Sequence, residues 1–257
     1  MMPHTDRSPS LPAASSGPLP PGQRERHDFP RFGLTAYAER FPARADDPAL
    51  AVMAAGRELR TLTDPLAGLP RVDRVADFHC VTTWSRRGLR WSGVRFVDFH
   101  RACIEPLLGT EASLSVVLRA QDGYRTTLPL SDLLHDDVLL ADRLDGRPLG
   151  IEHGAPLRLV APAHYGYKSV KHLSRLEYWA ARPDVRPAAF AFMDHPRARV
   201  ALEERGRWVP GWLLRWLYRP LVAGTARRFA EAAALRDGPR DLGARRVNRS
   251  DEGHAEG

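Results

Sequence analysis

Lysine is almost absent from this chain. Of 257 residues, 38 are basic, yet lysine occurs only at Lys168 and Lys171, which leaves 36 arginines. Asparagine occurs once, at Asn248, in an Asn-Arg-Ser sequon that has no meaning without secretion. Cysteine occurs twice, at Cys80 and Cys103. Two cysteines in a chain of this length exclude a disulfide scaffold, and they form no paired spacing for zinc or haem attachment. No uninterrupted apolar run approaches the roughly 18–20 residues that cross a bilayer, so no membrane-spanning helix is expected. The N-terminus has neither a basic cluster followed by an apolar segment nor a twin-arginine pair, so a reducing, cytoplasmic setting is expected.

What is present suits a globular protein with a sizeable core. The hydrophobic fraction is 43% and the formal charge is +7, outside the range of disordered or collagenous chains. Residues 1–24 hold six prolines and four serines, too little apolar surface to offset ordering entropy. A tail is therefore expected over 1–28, with ordered chain from Phe29. From Ala49 to Trp179, short apolar runs alternate with turn signals, predicting an α+β domain over 29–181 with mixed strands and short helices. Leu114–Arg119 reads as a buried strand, Asp145-Gly146 as a hairpin turn, and Leu157–Ala161 as another strand. Phe96, Phe99, Cys103 and Leu107 recur at helical spacing, with Pro106 near the end. Cys103 thus falls on an apolar face, where a free cysteine acts as a small hydrophobe.

Residues 182–257 form a basic extension, expected to be partly helical. Between Arg197 and Arg249 stand 13 arginines and five carboxylates. Trp208, Trp212 and Trp216 recur every four residues, with Leu213 and Leu217 beside the last two, and Pro210 and Pro220 limit the regular part of the stripe to about nine residues. A helix packed on the main domain by this stripe is the expectation, with partner docking or a membrane-surface role as the alternative.

Chemistry gathers in two places. Cys80 stands where a strand runs into polar loop, beside His79 and small hydroxyl residues. That setting suits a thiolate nucleophile or soft-metal ligand, against the alternative of a buried structural thiol. The second place runs from Glu152 to Lys171, where a His-Gly turn, a strand carrying Arg158, and a Gly-containing loop with both lysines follow one another. A planar arginine fork, a compact ammonium and accessible backbone amides suit an anionic ligand such as phosphate. In a chain that uses arginine everywhere else, two lysines in one loop point to a steric need for an ammonium.

The motifs F-H-C-V-T-T-W-S at 78–85, W-S-G-V at 91–94, D-G-Y at 122–124, L-A-x-x-x-x-G-x-P-L at 140–149, H-G-A-P-L-R-L-V-x-P at 153–162 and Y-G-x-K-S-V-K at 165–171 stand in a fixed order. Together they resemble the molybdopterin-binding domain of the sulfite oxidase superfamily, which includes the catalytic subunit of bacterial protein-methionine-sulfoxide reductase. The resemblance covers about residues 30–180. It implies a sulfite-oxidase-type molybdopterin fold and a molybdenum-molybdopterin (Mo-MPT) cofactor. It further implies an oxidoreductase moving an oxygen atom on a small oxyanion or sulfoxide-type substrate. Cys80 matches the cysteine that coordinates the metal. His153 matches a pterin contact, Arg158 an arginine gripping the pterin phosphate, and Ser169, Val170 and Lys171 a further cofactor contact, with Lys168 a supporting charge. Phe32, within Arg31–Leu34, matches an N-terminal pterin-contacting stretch. His79 and Tyr124 become candidates for hydrogen bonding around the metal, and Arg86, Arg87 or His164 for attracting an oxyanion substrate. Two features depart from the family pattern. Arg86 and Arg87 stand at a different offset from the cysteine than the sulfite oxidases' arginines, and no threonine stands at Arg119-Ala120. Because no haem or iron–sulfur motif is present, electrons are expected to pass to or from a separate protein docking on the basic extension. The alternative from another class is a non-catalytic basic protein that binds pterin or nucleic acid, although no nucleic-acid module is present.

Overall fold

The computed structural model describes residues 17–109, 113–184 and 188–238. Asn248 lies outside them. Two sheets carry the fold. In the first, β1 (Arg24–Glu25) runs parallel to one end of β5 (Trp84–Arg95), and β4 (Arg71–His79) pairs with β5 antiparallel along its length. Then β8 (Leu139–Leu144) pairs with β5, and both β9 (Arg147–Pro148) and β10 (Arg158–Val160) pair with β8. The second sheet has the order β3 (Arg57–Leu62), β2 (Leu50–Ala54), β11 (Leu173–Trp179), β6 (Ser115–Ala120), β7 (Arg125–Pro129). Only its β11–β2 pair is parallel. This is the expected α+β architecture, with the predicted strands near 114–119 and 157–161 and the 139–148 hairpin in place.

Alternation along the strands builds the core. In β2, Leu50, Val52 and Ala54 are buried while Ala51 and Met53 are half-buried, as a strand with one covered face requires. Leu50, Val52, Leu118 and Leu176 of one sheet meet Val94, Leu140, Leu157 and Leu159 of the other, with Phe96 and Phe99 in the same cluster. Each fully buried Leu or Phe contributes roughly 1.5–3 kcal/mol. The predicted helix over 96–107 forms as α1 (Phe96–Phe99), a π-helical stretch His100–Ile104, and α2 (Glu105–Leu108). Glu105 N–H reaches back five residues to His100 O, one step ahead of Pro106, whose ring cannot fit the ordinary helical ladder. Cys103 packs against the main core, as expected.

Two expectations are corrected. The chain is built into the fold well before Phe29. β1 joins β5, Gln23 is buried and donates to Cys80 O at 3.0 Å, and Pro21 O accepts from Arg205 Nη2 at 2.8 Å. Polar bonds, which composition does not reveal, hold this proline-rich stretch. The tryptophan stripe also does not pack on the domain. In α4 (Gly211–Tyr218) the buried residues are Leu214 and Tyr218, while Trp212 and Trp216 are 56% and 66% exposed. A second helix, α5 (Leu221–Asp237), follows and was not foreseen; its Phe229 and Ala232 pack on Ala38 and Phe41. It has only a sparse apolar face, so its periodicity is weak.

Candidate functional site

The β4–β5 hairpin turn carries the first element of the site. Cys80 N–H donates to Trp84 O at 2.8 Å and Thr83 N–H to Cys80 O at 3.2 Å, closing a tight loop over 80–84. Thr83 is held at φ 82°, a conformation that β-branched residues avoid and that costs roughly 1–3 kcal/mol. Such strain persists only where the surroundings enforce it. Here Arg205, itself fully buried, clamps the turn by donating to Val81 O at 2.6 Å. The Cys80 thiol lies 3.1 Å from Thr82 Oγ1. Burial pushes its pKa up; the Thr82 bond and then the charges of Arg205 and Lys171 oppose that shift.

A cavity opens beside this turn. Phe78, Cys80, Val81, Thr82 and Trp84 line it from the hairpin, and residues 29–34 with Tyr37 line it from the N-terminal segment. Asp122, Tyr124 and Arg125 come from the β6–β7 turn, Gly166–Tyr167 and Ser169–His172 from the loop before β11, and Tyr218 and Phe229 from the C-terminal helices. Phe78 and Cys80 line the cavity whereas His79, between them, does not, which is the period-two alternation of a strand. His79 Nδ1 instead shares a 2.7 Å hydrogen bond with Ser85, which donates to Gln23 Oε1.

Around the same cavity and behind its wall, three cations stand without a direct ion pair among the described residues. Arg158 is fully buried and donates to the carbonyls of His153 at 2.6 Å, Ser169 at 3.2 Å and Leu159 at 3.3 Å, with its guanidinium over the Trp91 ring. Lys171 donates to Glu152 O at 2.7 Å. Arg31 donates to the carbonyls of Tyr37, Ala38 and Arg40 and stacks between the rings of Phe41 and Phe229. None of the three forms an ion pair among the described residues; Asp122 lies near enough to act on Arg31 and Lys171 only through its field. Burial first, and then Arg158 and Arg31, bring the Lys171 pKa down to about 7. Burial alone brings Arg158 to about 9. Burial, then Lys171 and Arg158, lower His153 to about 4, and its Nδ1 is buried without a partner. Gly154 makes this crowding possible. At φ 110° it occupies a region that favours glycine, and a Cβ there would lie 3.1 Å from the Cβ atoms of both Arg158 and Lys171. Uncompensated cations and a spare imidazole nitrogen around one cavity are the complement of an anion.

The structure therefore brings Cys80, Phe32, Tyr124, Ser169, Val170 and Lys171 to one cavity. It corrects the expected roles of several others. His79 bonds away from the cavity. Arg158 and His153 stand behind its wall, His153 stacked on Phe29 with ring centroids 4.9 Å apart. Lys168 is not a loop charge toward a ligand: it is fully buried and donates to Thr126 Oγ1, Thr127 O and Asp194 Oδ1 at 3.0, 3.0 and 3.3 Å. Arg86, Arg87 and His164 do not line the cavity; His164 donates to Arg197 O beside Asp132. Tyr124 is half-buried, donates to Tyr167 O at 2.7 Å, and has its pKa raised by desolvation, so it holds its proton.

Comparison with known proteins identifies the family. The Oxidoreductase molybdopterin binding domain matches residues 41–185. The chain belongs to this family. The family's molybdenum-molybdopterin cofactor and the expectation of a molybdopterin-dependent oxidoreductase follow from that membership. An uncharacterized oxidoreductase, YuiH of Bacillus subtilis, is 40% identical over 116 residues, 45% of this chain and 56% of that protein. The protein-methionine-sulfoxide reductase catalytic subunit MsrP of Xanthomonas campestris is 30% identical over 200 residues, 68% of this chain and 57% of that protein. The chain thus spans a little over half the length of these curated relatives. The sulfane dehydrogenase SoxCD of Paracoccus pantotrophus overlaps with a TM-score of 0.46 at 22% identity, over 55% of this chain and 40% of that one.

For a molybdopterin-binding domain the donor set fits. The Cys80 thiol lines the cavity for a soft metal, and cations without ion pairs among the described residues, with an orphaned imidazole nitrogen behind the wall, suit an anionic pterin. Arg31 and His172, which also line the cavity, were not singled out as site residues from sequence. Nothing in the sequence distinguishes Arg31 among 36 arginines, and His172 only gains meaning from its left-handed φ of 53° next to Lys171.

Gly166, which also lines the cavity, packs directly against the end of β4. Its N–H donates to His79 O at 2.8 Å, and a Cβ would lie 2.0 Å from Phe78 Cζ. Gly166→Ala is expected to destabilise the protein by roughly 1–3 kcal/mol through overpacking, measured by thermal unfolding. Adding Phe78→Leu is expected to recover part of the loss, because the two changes share one contact.

Proposed function

We propose that this chain is the catalytic domain of a mononuclear molybdenum oxidoreductase that transfers an oxygen atom, with Cys80 as the metal's protein ligand. The observation that carries the reading is a buried thiol and the cations Arg31 and Lys171, without ion pairs among the described residues, lining one cavity. A bound molybdenum-molybdopterin supplies the two-electron chemistry and the exchangeable oxygen; the protein binds, orients and shields. Lys171 and Arg31 hold the anionic end, with Arg158 rigidifying the His153 and Ser169 carbonyls behind them. Thr82 and the clamped turn fix the thiol, and Trp84, Phe32 and Phe78 exclude water. Val81, Phe32, Tyr218 and Met193 also line the cavity, an apolar surface that suits a neutral sulfoxide-type substrate better than an oxyanion. The 30% identity to a protein-methionine-sulfoxide reductase subunit supports the same choice.

Electrons are supplied in this reading by a separate redox protein, and a cytoplasmic setting is retained, with both cysteines free thiols. A nucleic-acid-binding role is disfavoured because Arg31, Arg158, Lys168 and Arg205 are buried in the fold rather than set along a surface. The test is to purify the full chain from a host that makes the cofactor and assay molybdenum and pterin. Turnover of methionine sulfoxide with a reduced dye is then compared with turnover of sulfite. Stoichiometric metal with sulfoxide turnover is expected. Protein that remains free of molybdenum overturns the reading, and turnover of sulfite alone overturns the substrate.

A further inference from the structure

Among the described residues nothing covers the outer face of α4, and its tryptophans do not line the cavity. Trp208, Trp212 and Trp216 are 69%, 56% and 66% exposed, and Leu213, Leu217 and Leu221 are exposed beside them. Exposed apolar side chains scattered singly are ordinary, but six large ones within fourteen residues are not. Packing strain does not explain their exposure, because the inner face of the same helix is well buried through Leu214 and Tyr218. The rim is cationic. Arg207 lies over the Trp208 ring at 5.4 Å and Arg219 over the Trp216 ring at 5.8 Å. From Arg205 to Ala230 the sequence carries six arginines and no carboxylate.

We propose that this face seats the protein on an anionic lipid surface. Tryptophan rings favour headgroup depth, leucines the acyl boundary, and arginines the phosphates above them. A short amphipathic helix bearing all three lies in the interface plane and does not cross it, and among the described residues no helix is long and apolar enough to cross a membrane. The chain's own ends are poor occupants: residues 1–16 and 239–257 offer Met1, Met2, Leu11, Leu242 and Val247 as their large apolar side chains and no Phe, Tyr or Trp. Charge chooses between the remaining occupants. Arg207 and Arg219 over exposed rings, with Arg205 buried and Arg215 paired with Glu203, leave a cationic rim that matches a continuous sheet of phosphates. Tyr218 on the inner face of α4 lines the cavity, so one helix carries the membrane contact on one side and a wall of the site on the other.

The test uses the full chain with vesicles of phosphatidylglycerol and phosphatidylcholine, against phosphatidylcholine alone. Flotation with the anionic vesicles is expected, with a blue shift of tryptophan emission and weakening by salt. Trp212→Ser/Trp216→Ser is expected to lower the partition coefficient at least about tenfold, since each ring removes well over 100 Å² of apolar contact. Molybdenum content and circular dichroism of the variant are expected to match wild type, which separates loss of docking from loss of fold or of the cofactor site. No flotation at low salt overturns the proposal. So does flotation that the double variant leaves unchanged, which would place binding on other cations. Lipid-free self-association abolished by the variant assigns the face to a second copy of the chain. Indifference to anionic lipid with saturable binding of an acidic redox protein assigns it to that partner.

Discussion

Replacing Cys80 with serine is expected to cost more than about 100-fold in turnover while leaving the fold intact. The magnitude follows from the ligand's position: loss of an outer-shell hydrogen bond to a metal site typically costs about 10–100-fold, and a direct ligand weighs more. Molybdenum content is expected to fall with activity, because serine's alkoxide is a far poorer partner for a soft metal than thiolate. Pterin retention is expected to fall less, since Arg31 and Lys171, which line the cavity, are left in place. The fold is expected to hold because the turn is fixed by main-chain groups the substitution leaves alone. Cys80 N–H still reaches Trp84 O, and Cys80 O still accepts from Gln23. Melting temperature, metal content and turnover measured on one preparation separate these effects. A Cys80→Ser protein that keeps its metal and its turnover sinks the ligand assignment. Cys103→Ser, against the main core, serves as the control and is expected to leave metal and turnover unchanged.

The sequence made some of this site legible and hid the rest for identifiable reasons. The cluster around Cys80 and the loop ending at Lys171 could be read because both are local: a strand runs into a polar turn, and rare lysines stand in one short loop. What sequence could not supply was direction. The alternation of β4 decides that Cys80 faces the cavity and His79 does not, and a one-residue change of register would have reversed them. Arg158 and Lys168 look like solvent-seeking charges on paper, yet both are fully buried. Arg158 satisfies three carbonyls, while Lys168 ties β7 to the segment around Asp194. The N-terminal segment was misjudged because its order rests on Gln23 and on carbonyls such as Pro21 O, groups that carry no hydrophobic signal. In the C-terminal helices the tryptophan spacing was right and the burial was not. Periodicity identifies a face; it does not say which face the rest of the protein covers.

The scarce lysines lead to the second large effect. Lys171→Met is expected to stabilise the cofactor-free protein while weakening cofactor retention. In the empty cavity Lys171 is held near Arg158 and Arg31 with only Glu152 O as a partner, and its pKa falls from 10.5 to about 7. The sign follows directly. A cation whose pKa is lowered by folding binds fewer protons in the folded state than in the unfolded state. Stability therefore rises with pH between the two values, and the full penalty applies below about 7. Removing the charge relieves that penalty, so the variant's advantage in melting temperature is expected to be largest at pH 7 or below. It should shrink as pH climbs toward 10. Loading reverses the ranking. An anion beside Lys171 restores its proton, and losing a charge-assisted hydrogen bond of roughly 1.5–3 kcal/mol lowers retention by about 10–150-fold. Wild-type affinity for the cofactor is expected to weaken above pH 7, by up to about tenfold per unit, because binding must then take up a proton. Unfolding curves across pH 6–10 and pterin retention on dialysis measure both halves. If Lys171→Met instead lowers the stability of the empty protein at pH 7, Lys171 is a structural tie like Lys168. If it leaves pterin retention unchanged, the ammonium does not hold the anion. The stabilisation that the empty fold gives up at this position is what makes the cavity attract an anion.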